Sequence, residues 1–580
     1  MQRPRAKQSK AHPDLGSRYL IMDGYVDEPA ALGVPPFISP HIRSLAGGLV
    51  AGGADGREIG YLTIDQWRDL RGGGWSIGSM TKLEIVILVA GCVVPGRYLR
   101  GTPVSPREAE ELRSSLKGPD MMICGPASRS FSETGDVADS GDLGVLGESI
   151  ASTGTPSSRD RTPEEWNDHL EMGSFIIRKH PDFPSPLIVE IETSRGCPRY
   201  ISGGCSFCVE PKKGPLQFRR PEDVVREVEA LSAHGAENLR IGGQSDLISY
   251  GSPDIGRCEV PEPSPEMVRE LMSGIHHALY HGEGSSSAEV SGRRLGVDRG
   301  IIHTDNANPA VIAEYPDQAG EVLKTIVECT TSGNVLALGL ESSDPVVKES
   351  NNLNSTPEQA LEAIRMMARI GGERGENGLP RLLPGLNFLG GLPGQTPKSF
   401  EMDLRFLQDV LSEGLRLRRV NIRAAVFEDV NGRMRDHVDR MGLGPSFRSF
   451  KERVRKDIDI RFMERLLPKG TLMKGVNVET SLGHVSFGRQ IGSYPVLVGM
   501  EHTVRVGEVL DVAVSEVSGR SVTGFRSPFP INEASFRDLS ALPGVGKKRA
   551  ATIFRERPVR SEHIAWMFRE NEWVVPHIKV

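Results

Sequence analysis

The sequence predicts an α/β fold, followed by a small all-β unit and a helical hairpin. Between residues 17 and 127, and again from about 185 to 430, short apolar runs alternate with amphipathic helical patterns. This alternation is typical of parallel sheets covered by helices. From residue 468 to about 526, short strand-like segments with frequent glycines indicate a small β-barrel. Residues 539–553 resemble two short helices joined by a glycine turn.

The overall composition fits a multi-domain globular protein. At roughly 150 residues per domain, 580 residues suggest three or four domains. The net charge of -6 argues against a wholly basic nucleic-acid-binding protein, although it is compatible with a local basic module. No run approaches about 18 apolar residues, and no apolar segment follows the basic N-terminus. We therefore expect no membrane partner, no secretory signal and a cytoplasmic location.

The first predicted unit is an open parallel sheet over residues 17–127. A polar stretch at residues 1–16 precedes it and is expected to be a disordered tail. Ser39 suits a helix N-cap, and Pro40 suits the first helical position. Strands are expected at residues 18–23, 83–90 and 120–125, and a further helix at residues 106–116.

Residues 128–162 are expected to form a flexible linker or surface loop. They are rich in Ser, Gly and Asp, and they show no sustained apolar periodicity from which a helix or strand could be predicted. We therefore expect the next domain to begin after them.

The central unit, residues 163–430, is predicted to be a parallel barrel or partial barrel. Apolar strands bounded by Gly or Pro alternate with helical segments throughout it. The strand-like runs lie at residues 187–191, 238–244, 299–305, 336–342, 386–396 and 420–425. Residues 431–467, which are charged and rich in arginine, are expected to be solvated connecting helices.

Three of the seven cysteines lie on one loop, directly after the apolar run 187–191. Cys197, Cys205 and Cys208 could hold three irons of a [4Fe-4S] cluster and leave the fourth iron open to another ligand. A structural zinc site would require a fourth protein ligand, and no second Cys-x-x-Cys pair follows. Disulfides are disfavoured because the other cysteines are scattered singly and no signal peptide is recognisable.

The run RGCPR…GGCSFC resembles the radical S-adenosylmethionine (SAM) enzymes, whose three cysteines follow the first barrel strand. Phe207 fills the aromatic position before the last cysteine, but the first gap is longer than in the usual CxxxCxxC spacing. The resemblance spans residues 17–558. It implies that Cys197, Cys205 and Cys208 ligate the cluster and that SAM binds its fourth iron. It also implies reductive cleavage of SAM to methionine and a 5′-deoxyadenosyl radical, with an electron donor such as ferredoxin or flavodoxin.

The later strands carry further matches to the same superfamily. Gly242, Gly243 and Gln244 resemble the GGE motif that holds the amino group of SAM, with Gln in place of the usual acid. Glu341 resembles the acid that contacts the SAM ribose or amino acid. The run LNFLGGLPGQT, residues 386–396, resembles the glycine motif that supports the adenine. Arg423 is a candidate partner for a carboxylate. These residues are the predicted SAM side of the site.

Residues 17–127 resemble the Rossmann-like domain that precedes the barrel in two radical SAM groups. In the cobalamin-binding group this domain would make cobalamin a further cofactor, although no DxHxxG motif is present to supply a histidine ligand. In the tRNA methylthiotransferases it holds a second cluster, and Cys92 occupies one of the expected positions. The alternative is that Cys92 and Cys124 are small buried residues at strand ends.

The two C-terminal units suit nucleic acid. Residues 468–526 resemble the TRAM domain, a small β-barrel that could present aromatic and Arg side chains to RNA, although a purely stabilising role is the alternative. Residues 535–580 match the helix-hairpin-helix pattern, whose turn offers free N–H groups to a phosphate. From residue 540 onward, the sequence contains eight Lys or Arg and four acidic residues, which gives a net charge of +4. The predicted phosphate-binding residues are Gly544, Gly546, Lys547, Lys548 and Arg549.

Taken together, the motifs resemble archaeal-type radical SAM proteins with a C-terminal helix-hairpin-helix, similar in layout to tRNA methylthiotransferases. This resemblance implies an enzyme that modifies nucleic acid, with methylation or methylthiolation of tRNA favoured. One alternative is the same chemistry on a protein or small molecule. Another is a nucleic-acid-binding protein whose iron–sulfur cluster is structural or a sensor. Whether the enzyme is a transferase or an oxidoreductase stays open.

Overall fold

A computed structural model describes most of the chain: residues 16–28, 32–75, 77, 80–92, 100–131, 141–281, 300–428 and 434–580. The predicted disordered tail lies outside the described residues, except for Gly16. Among the described residues, no helix is both long and apolar enough to cross a membrane.

The N-terminal part is a four-stranded parallel sheet, as the alternation of strands and helices predicted. The strands of this part are Tyr19–Asp27 (β1), Phe37–Ile38 (β2), Ile59–Thr63 (β3), Ile85–Cys92 (β4) and Asp120–Cys124 (β5). The sheet order is β3-β1-β4-β5, with β2 outside it. The helices are Pro40–Ala51 (α1), Ile64–Gly72 (α2) and Pro106–Ser115 (α3). Helix α1 begins as predicted, with Ser39 at the N-cap and Pro40 at the first position.

Residues 143–153, within the predicted linker, form a buried helix, so that expectation is wrong for this segment. Leu143–Thr153 (α4) begins at Asp142, whose carboxylate accepts a hydrogen bond from the N–H of Gly144 at 2.9 Å. Its apolar side chains are buried against α1. A Cβ on Gly48 would collide with the carbonyl of Gly144. The Gly and Ser residues that resembled a loop therefore allow two helix backbones to approach closely.

The central part is an open parallel barrel. Its strands are Ile188–Ile191 (β6), Ser194–Arg195 (β7), Gln217–Phe218 (β8), Leu239–Ile241 (β9), Ile302–Thr304 (β10), Asn306–Ala307 (β11), Asn334–Glu341 (β12), Leu382–Gly390 (β13) and Arg419–Ala424 (β14). Two parallel sheets, β10-β9-β6-β2 and β11-β12-β13-β14, follow one another because β10 runs directly into β11. The predicted partial barrel is therefore present.

Helices cover the outside of this barrel. They are Pro163–Met172 (α5), Pro221–Ala233 (α6), Pro265–His281 (α7), Pro309–Glu314 (α8), Pro316–Cys329 (α9), Pro345–Ser350 (α10), Pro357–Gly371 (α11) and Pro397–Ser412 (α12). Each begins with proline, which lacks the N–H that the first helical residue would leave unpaired. Thr162 and Thr356 close the N-termini of α5 and α11 with capping boxes, so the local sequence fixes where these helices start.

The N-terminal part is joined to the barrel through backbone pairing and a buried ion pair. Strand β2 extends the barrel sheet, with Phe37 opposite Ile188. Arg43 on α1 donates to the carbonyl of Glu190 at 2.7 Å and pairs with Glu227 at 2.5 Å. Residues of both parts share one apolar core. The two predicted domains therefore pack as one body along this edge.

The connecting segment after the barrel is more buried than its charge suggested. It contains Met434–Asp436 (β16), His437–Arg440 (α13), Gly444–Arg453 (α14) and Asp459–Leu466 (α15), and β16 pairs with Val426–Glu428 (β15) at the end of the predicted barrel region. Phe447, Phe450 and Phe462 lie in the main core, so these helices are not simply solvated. The arginines occupy the other faces, which is the usual arrangement of an amphipathic helix.

The C-terminal part contains the predicted small β-barrel and a helical unit. Leu472–Leu482 (β17), Val485–Arg489 (β18), Leu497–Met500 (β19), Val509–Val517 (β20) and Ser521–Ser527 (β21) close into a barrel in the order β17-β18-β19-β21-β20. Phe529–Pro530 (β22) pairs with Ile578–Lys579 (β23) around the helices Phe536–Ala541 (α16), Gly546–Arg555 (α17) and Ser561–Met567 (α18). The likeness to a TRAM domain stays a prediction.

Candidate active site

The three predicted cluster cysteines lie on the loop that follows β6. Strands β7 and β8 pair at the base of this loop, with Ser194 opposite Phe218, and hold its two ends together. Cys197, Cys205 and Cys208 are half-buried and line one cavity of about 340 Å³. The fold therefore presents three thiols to a single partly open cavity.

This donor set fits a [4Fe-4S] cluster. A cubane takes one thiolate per iron, so its three ligands do not have to converge on one point. Within the described parts of the chain, no three His, Cys, Asp or Glu side chains converge closely enough to hold a single metal ion. Burial raises the pKa of Cys197 to about 11 and that of Cys208 to about 12. The thiols would therefore release protons on binding iron.

Two asparagines from a distant segment brace the cysteine loop. The N–H of Ser206 donates to the carbonyl of Asn351 at 3.0 Å, and its hydroxyl donates to the side-chain oxygen of Asn351 at 2.7 Å. Arg199 donates to the carbonyl of Asn352 at 2.6 Å, and its Nη1 lies 3.2 Å from Sγ of Cys205. Arg199 and Asn352 are 153 positions apart, so no local sequence signal marks this contact.

The predicted Gly-Gly-Gln motif lies behind the cavity wall and does not line it. A Cβ on Gly243 would press against Glu192, so this position requires a residue without a side chain. The side-chain amide of Gln244 accepts from Thr193 at 3.3 Å and donates to the carbonyl of Ile241 at 2.8 Å. Gly242 is also outside the lining. The next residue, Ser245, reaches the cavity.

Glu341 and Arg423, by contrast, both line the cavity. Glu341 ends β12 with a left-handed backbone, φ 68°, which a residue with a side chain rarely adopts. Burial raises the pKa of its carboxyl to about 8, although the charge of Arg423 opposes this rise. A strained backbone and a perturbed carboxyl in one cleft are features of functional residues.

Two walls of the cavity were not anticipated from the sequence. Asp27 ends β1, Glu28 and Leu32 follow that strand, and Tyr494 comes from the C-terminal barrel. Burial alone would raise the pKa of Glu28, but the charge of Lys213 and the hydrogen bond from His41 bring it down to about 2. These side chains reach the cavity through packing between distant parts of the chain, for which motif spacing gives no signal.

The predicted phosphate-binding residues do not line this cavity. Gly544, φ 78°, makes the turn before α17, and Lys547 and Lys548 are exposed at the start of that helix, beside Gly546. Arg549 is engaged elsewhere: it donates to the carbonyl of Gly544 at 2.8 Å and pairs with Glu570 at 3.1 Å. Arg549 therefore stabilises the turn, which leaves the two lysines as the exposed charges.

Cys124 and Cys92 both lie at the ends of strands of the N-terminal sheet. Cys124 is buried at the end of β5, and burial raises its pKa to about 12. It behaves as a small apolar residue, in agreement with the alternative given above. Cys92 ends β4, but its side chain lies outside the described residues.

Residues 191–407, which include the cysteine loop and β9 to β13, match the model of the radical SAM superfamily. An uncharacterised protein of Methanocaldococcus jannaschii is 37% identical over 530 residues, covering 87% of this chain and 93% of its own length. This chain belongs to the radical SAM superfamily. It is a radical SAM enzyme, and the cofactors of this superfamily are a [4Fe-4S] cluster and SAM.

Partial similarity extends to two kinds of methylthiotransferase. The ribosomal protein uS12 methylthiotransferase of Elusimicrobium minutum is 22% identical over 237 residues, 40% of this chain and 44% of that protein. The tRNA-2-methylthio-N(6)-dimethylallyladenosine synthase of Streptomyces coelicolor is 27% identical over 233 residues, 39% of this chain and 38% of that protein. According to their names, the first of these enzymes modifies a ribosomal protein and the second modifies tRNA. Cobalamin stays a prediction for this radical SAM enzyme.

Proposed function

We propose that this radical SAM enzyme modifies a nucleic acid, with tRNA favoured, by methylation or methylthiolation. The observation that carries this proposal is the C-terminal helical unit, in which exposed lysines and exposed aromatic rings lie together on a small module. Similarity to a tRNA methylthiotransferase points the same way. The two parts of the function are separate: the cavity performs the chemistry, and the C-terminal units hold the nucleic acid.

At the cavity, Cys197, Cys205 and Cys208 would ligate the cluster. When bound, the cluster supplies the electron that cleaves SAM to methionine and a 5′-deoxyadenosyl radical. An external donor such as ferredoxin or flavodoxin would have to deliver that electron. The protein's own contribution is enclosure: Phe207 packs with Val347 and other apolar residues beside the cysteines, and so keeps water from the reacting atoms.

The SAM-side candidates divide by position. Glu341 and Arg423 line the cavity at the carboxyl ends of β12 and β14, so they can contact SAM directly. Gly242 and Gly243 allow the chain to pass close to Glu192 and Glu190, and Gln244 fixes this turn through Thr193. We assign the second group the role of shaping the wall on which the amino group of SAM rests.

The turn before α17 suits a phosphate. The N-terminus of a helix carries unpaired N–H groups and the positive end of the helix dipole, which together favour an anion. Lys547 and Lys548 add two charges there, and both are exposed. Such contacts follow the phosphate backbone without reading sequence.

Exposed aromatic rings in the same module favour unpaired nucleotides. Phe536, Phe554 and Trp566 have exposed fractions of 42%, 51% and 69%, and they are the exposed large aromatic residues of the described chain. The rings of Phe536 and Phe554 lie 6.4 Å apart, and the guanidinium of Arg557 lies 4.8 Å from the centre of Phe554. Aromatic faces beside cations are the usual platform for stacking unpaired bases.

The decisive experiment measures 5′-deoxyadenosine with and without tRNA. The protein would be reconstituted anaerobically with iron and sulfide, reduced, and supplied with SAM and total tRNA. We expect turnover to rise with tRNA, and the rise to be lost in a Lys547→Gln/Lys548→Gln double variant. Lys324→Gln/Lys398→Gln, which removes the same charge elsewhere on the surface, is the matched control.

The outcomes separate the proposed substrate from the enzyme class. Cleavage of SAM that is indifferent to tRNA would refute tRNA as the substrate and favour a protein or small molecule. Cleavage stimulated equally in both double variants would show that the helical unit does not hold the tRNA. Sequencing of reacted tRNA would locate the modified position.

A further inference from the structure

A loop of the C-terminal β-barrel closes one side of the active-site cavity. This loop, residues 490–496, joins β18 to β19 and is held at several points. The N–H of Ser493 donates to Nδ1 of His303 at 3.1 Å, and the side-chain amide of Gln490 donates to the carbonyl of Asn377 at 2.7 Å. Ile491 packs against Phe37 and its apolar neighbours. The loop is therefore a fixed part of the cavity wall.

Tyr494 is the residue of this loop that enters the cavity. Its hydroxyl donates to Asp305 at 2.6 Å, and its carbonyl accepts from Arg418 at 2.9 Å. The guanidinium of Arg419 lies over its ring, 5.0 Å from the centre. Asp305 is also paired with Arg240, so the proton of the tyrosine hydroxyl is held by a carboxylate that is itself anchored, with the ring beneath Arg419.

Strand β14 directs two arginines to the same cavity. Arg419, Asn421 and Arg423 alternate along the strand, so their side chains share one face, and all three line the cavity. Arg419 donates to the side-chain oxygen of Asn421 at 2.9 Å. Among the described residues, no carboxylate lies within ion-pair distance of Arg419. Burial lowers the pKa of the Arg419 guanidinium, and the charges of Tyr494 and Asp27 oppose this change.

We propose that Arg419, held by Asn421 and Tyr494, binds an anionic group of the substrate, either a carboxylate or a phosphate. This proposal rests on the proposed radical chemistry at the same cavity. A half-buried guanidinium without an acidic partner costs free energy, and an oxyanion of the substrate would offset that cost. The planar fork of arginine fits both groups through paired hydrogen bonds. Tyr494 is a positioning residue, because its hydroxyl is already bonded to Asp305.

We assign this anion to the substrate and not to SAM, because Arg419 and Arg423 lie towards opposite ends of β14. Arg419 and Arg423 are four residues apart on an extended strand, which separates their backbones by about 13 Å at about 3.3 Å per residue. Arg423 lies near Glu341, at the end of the strand where the cysteine loop lies. Arg419 lies at the start of the strand, beside Tyr494. The two charges influence each other across the cavity, but their neighbours differ, so we assign Arg423 to the end beside the cysteine loop and Arg419 to the end beside Tyr494.

The test measures binding without turnover. The reconstituted holoenzyme would be titrated anaerobically with inorganic phosphate or with succinate, at constant ionic strength, and its thermal unfolding midpoint recorded. We expect at least one probe to raise the midpoint in a saturable manner. Arg419→Gln should lower the affinity for that probe by at least about tenfold, which corresponds to one lost charged contact. A stronger effect of phosphate would indicate a phosphorylated substrate, and a stronger effect of succinate a carboxylate.

Two further variants keep the outcome clear. Arg419→Lys preserves the charge but not the planar fork, so it should bind the probe with intermediate affinity. This variant supplies the test if Arg419→Gln fails to fold. Tyr494→Phe keeps the ring and loses the hydrogen bond to Asp305. It should lower the affinity for the probe less than Arg419→Gln does. SAM binding, measured by equilibrium dialysis, should change less than about threefold in Arg419→Gln.

Three results would overturn the proposal: no saturable shift with either probe, an equal shift in Arg419→Gln and wild type, or loss of SAM binding in Arg419→Gln. The last result would assign Arg419 to the cofactor. Since no turnover is required, these outcomes are independent of whether tRNA stimulates SAM cleavage, and failure of the proposed nucleic-acid substrate would not be mistaken for failure of this subsite.

Discussion

Glu341 combines two costs that a structural role alone does not require. Its left-handed backbone costs about 1–2 kcal/mol for a residue with a side chain, and desolvation raises the pKa of its half-buried carboxyl. Arg423 is the charge that opposes the rise in its pKa. The surrounding β12–β13 pairing supplies the stability that holds this geometry. A contact that orients SAM would explain why the chain retains such a residue.

Replacement of Cys205 by Ala should abolish cluster binding. The remaining two thiols cannot supply one ligand to each of three irons, so we expect iron content and visible absorption to fall to background. Iron and sulfide analysis after anaerobic reconstitution would measure this. Cys258→Ala, at a half-buried cysteine that does not line the cavity, should bind iron as wild type does. Retention of a full cluster in Cys205→Ala would disprove the ligand assignment.

Asp403 should make folding stability depend on pH. Burial raises its pKa from 3.8 to about 7, although the N–H of Ser343 donates to it at 2.5 Å. Because the folded-state pKa lies above the unfolded value, its contribution is full below about pH 4 and is lost as the pH rises through about 7. Asp403→Asn cannot ionise, so wild type should become less stable relative to this variant as the pH rises.

Urea unfolding of both proteins at several pH values would measure that difference. Asp409→Asn, which removes an exposed carboxylate from the same helix, is the matched control and should follow wild type at every pH. If the stabilities of wild type and Asp403→Asn ran parallel from about pH 4 to 8, the carboxyl would titrate normally in the folded protein.

At the scale of elements, the packing of α1 against α4 depends on the absence of side chains. Gly48→Ala would place a Cβ against the backbone of Gly144, and we expect a loss of about 1–3 kcal/mol in the free energy of unfolding. Gly320→Ala on α9 is the matched control, since nothing lies within 4 Å of its Cβ position. That change should be neutral or stabilising by up to about 1 kcal/mol. Equal effects of the two changes on the urea midpoint would contradict close packing at Gly48.

The same helix pair shows where sequence patterns stop being informative. The barrel strands were predictable because each is a short apolar run bounded by Gly or Pro, and the cysteines were predictable because their spacing is local. Helix α4 was not, because glycines that permit close packing look identical to glycines that break a helix. Tyr494 and Asn352 reach the site through contacts between distant segments, which no local periodicity encodes.

At the scale of the whole molecule, charge is distributed unevenly. The chain carries -6 overall, whereas residues 540–580 carry +4. Nucleic acid should therefore approach the C-terminal module and be repelled by much of the remaining surface. The affinity for nucleic acid should fall as the salt concentration rises. Salt screens the positive charges of the module, and it makes the release of counterions from the nucleic acid less favourable.

The salt dependence of RNA binding should show whether Lys547 and Lys548 contact phosphates. In wild type, the logarithm of the affinity should fall linearly with the logarithm of the salt concentration. Lys547→Gln/Lys548→Gln should reduce the magnitude of that slope by roughly 1.4, or 0.7 for each lost phosphate contact on a single strand. Fluorescence anisotropy with a labelled RNA would measure it, and Lys324→Gln/Lys398→Gln should leave the slope unchanged. An unaltered slope in the first variant would place the phosphates elsewhere.

Strand β2 lends the barrel sheet an edge strand from the N-terminal part, with Phe37 opposite Ile188. A chimaera that exchanged residues 1–127 for the equivalent part of another enzyme would have to supply a matching strand at that position. Without one, β6 would present unpaired N–H and C=O groups to solvent and invite association between chains. Recombination during evolution would meet the same obstacle, so the N-terminal part and the barrel should be inherited together rather than shuffled as separate modules.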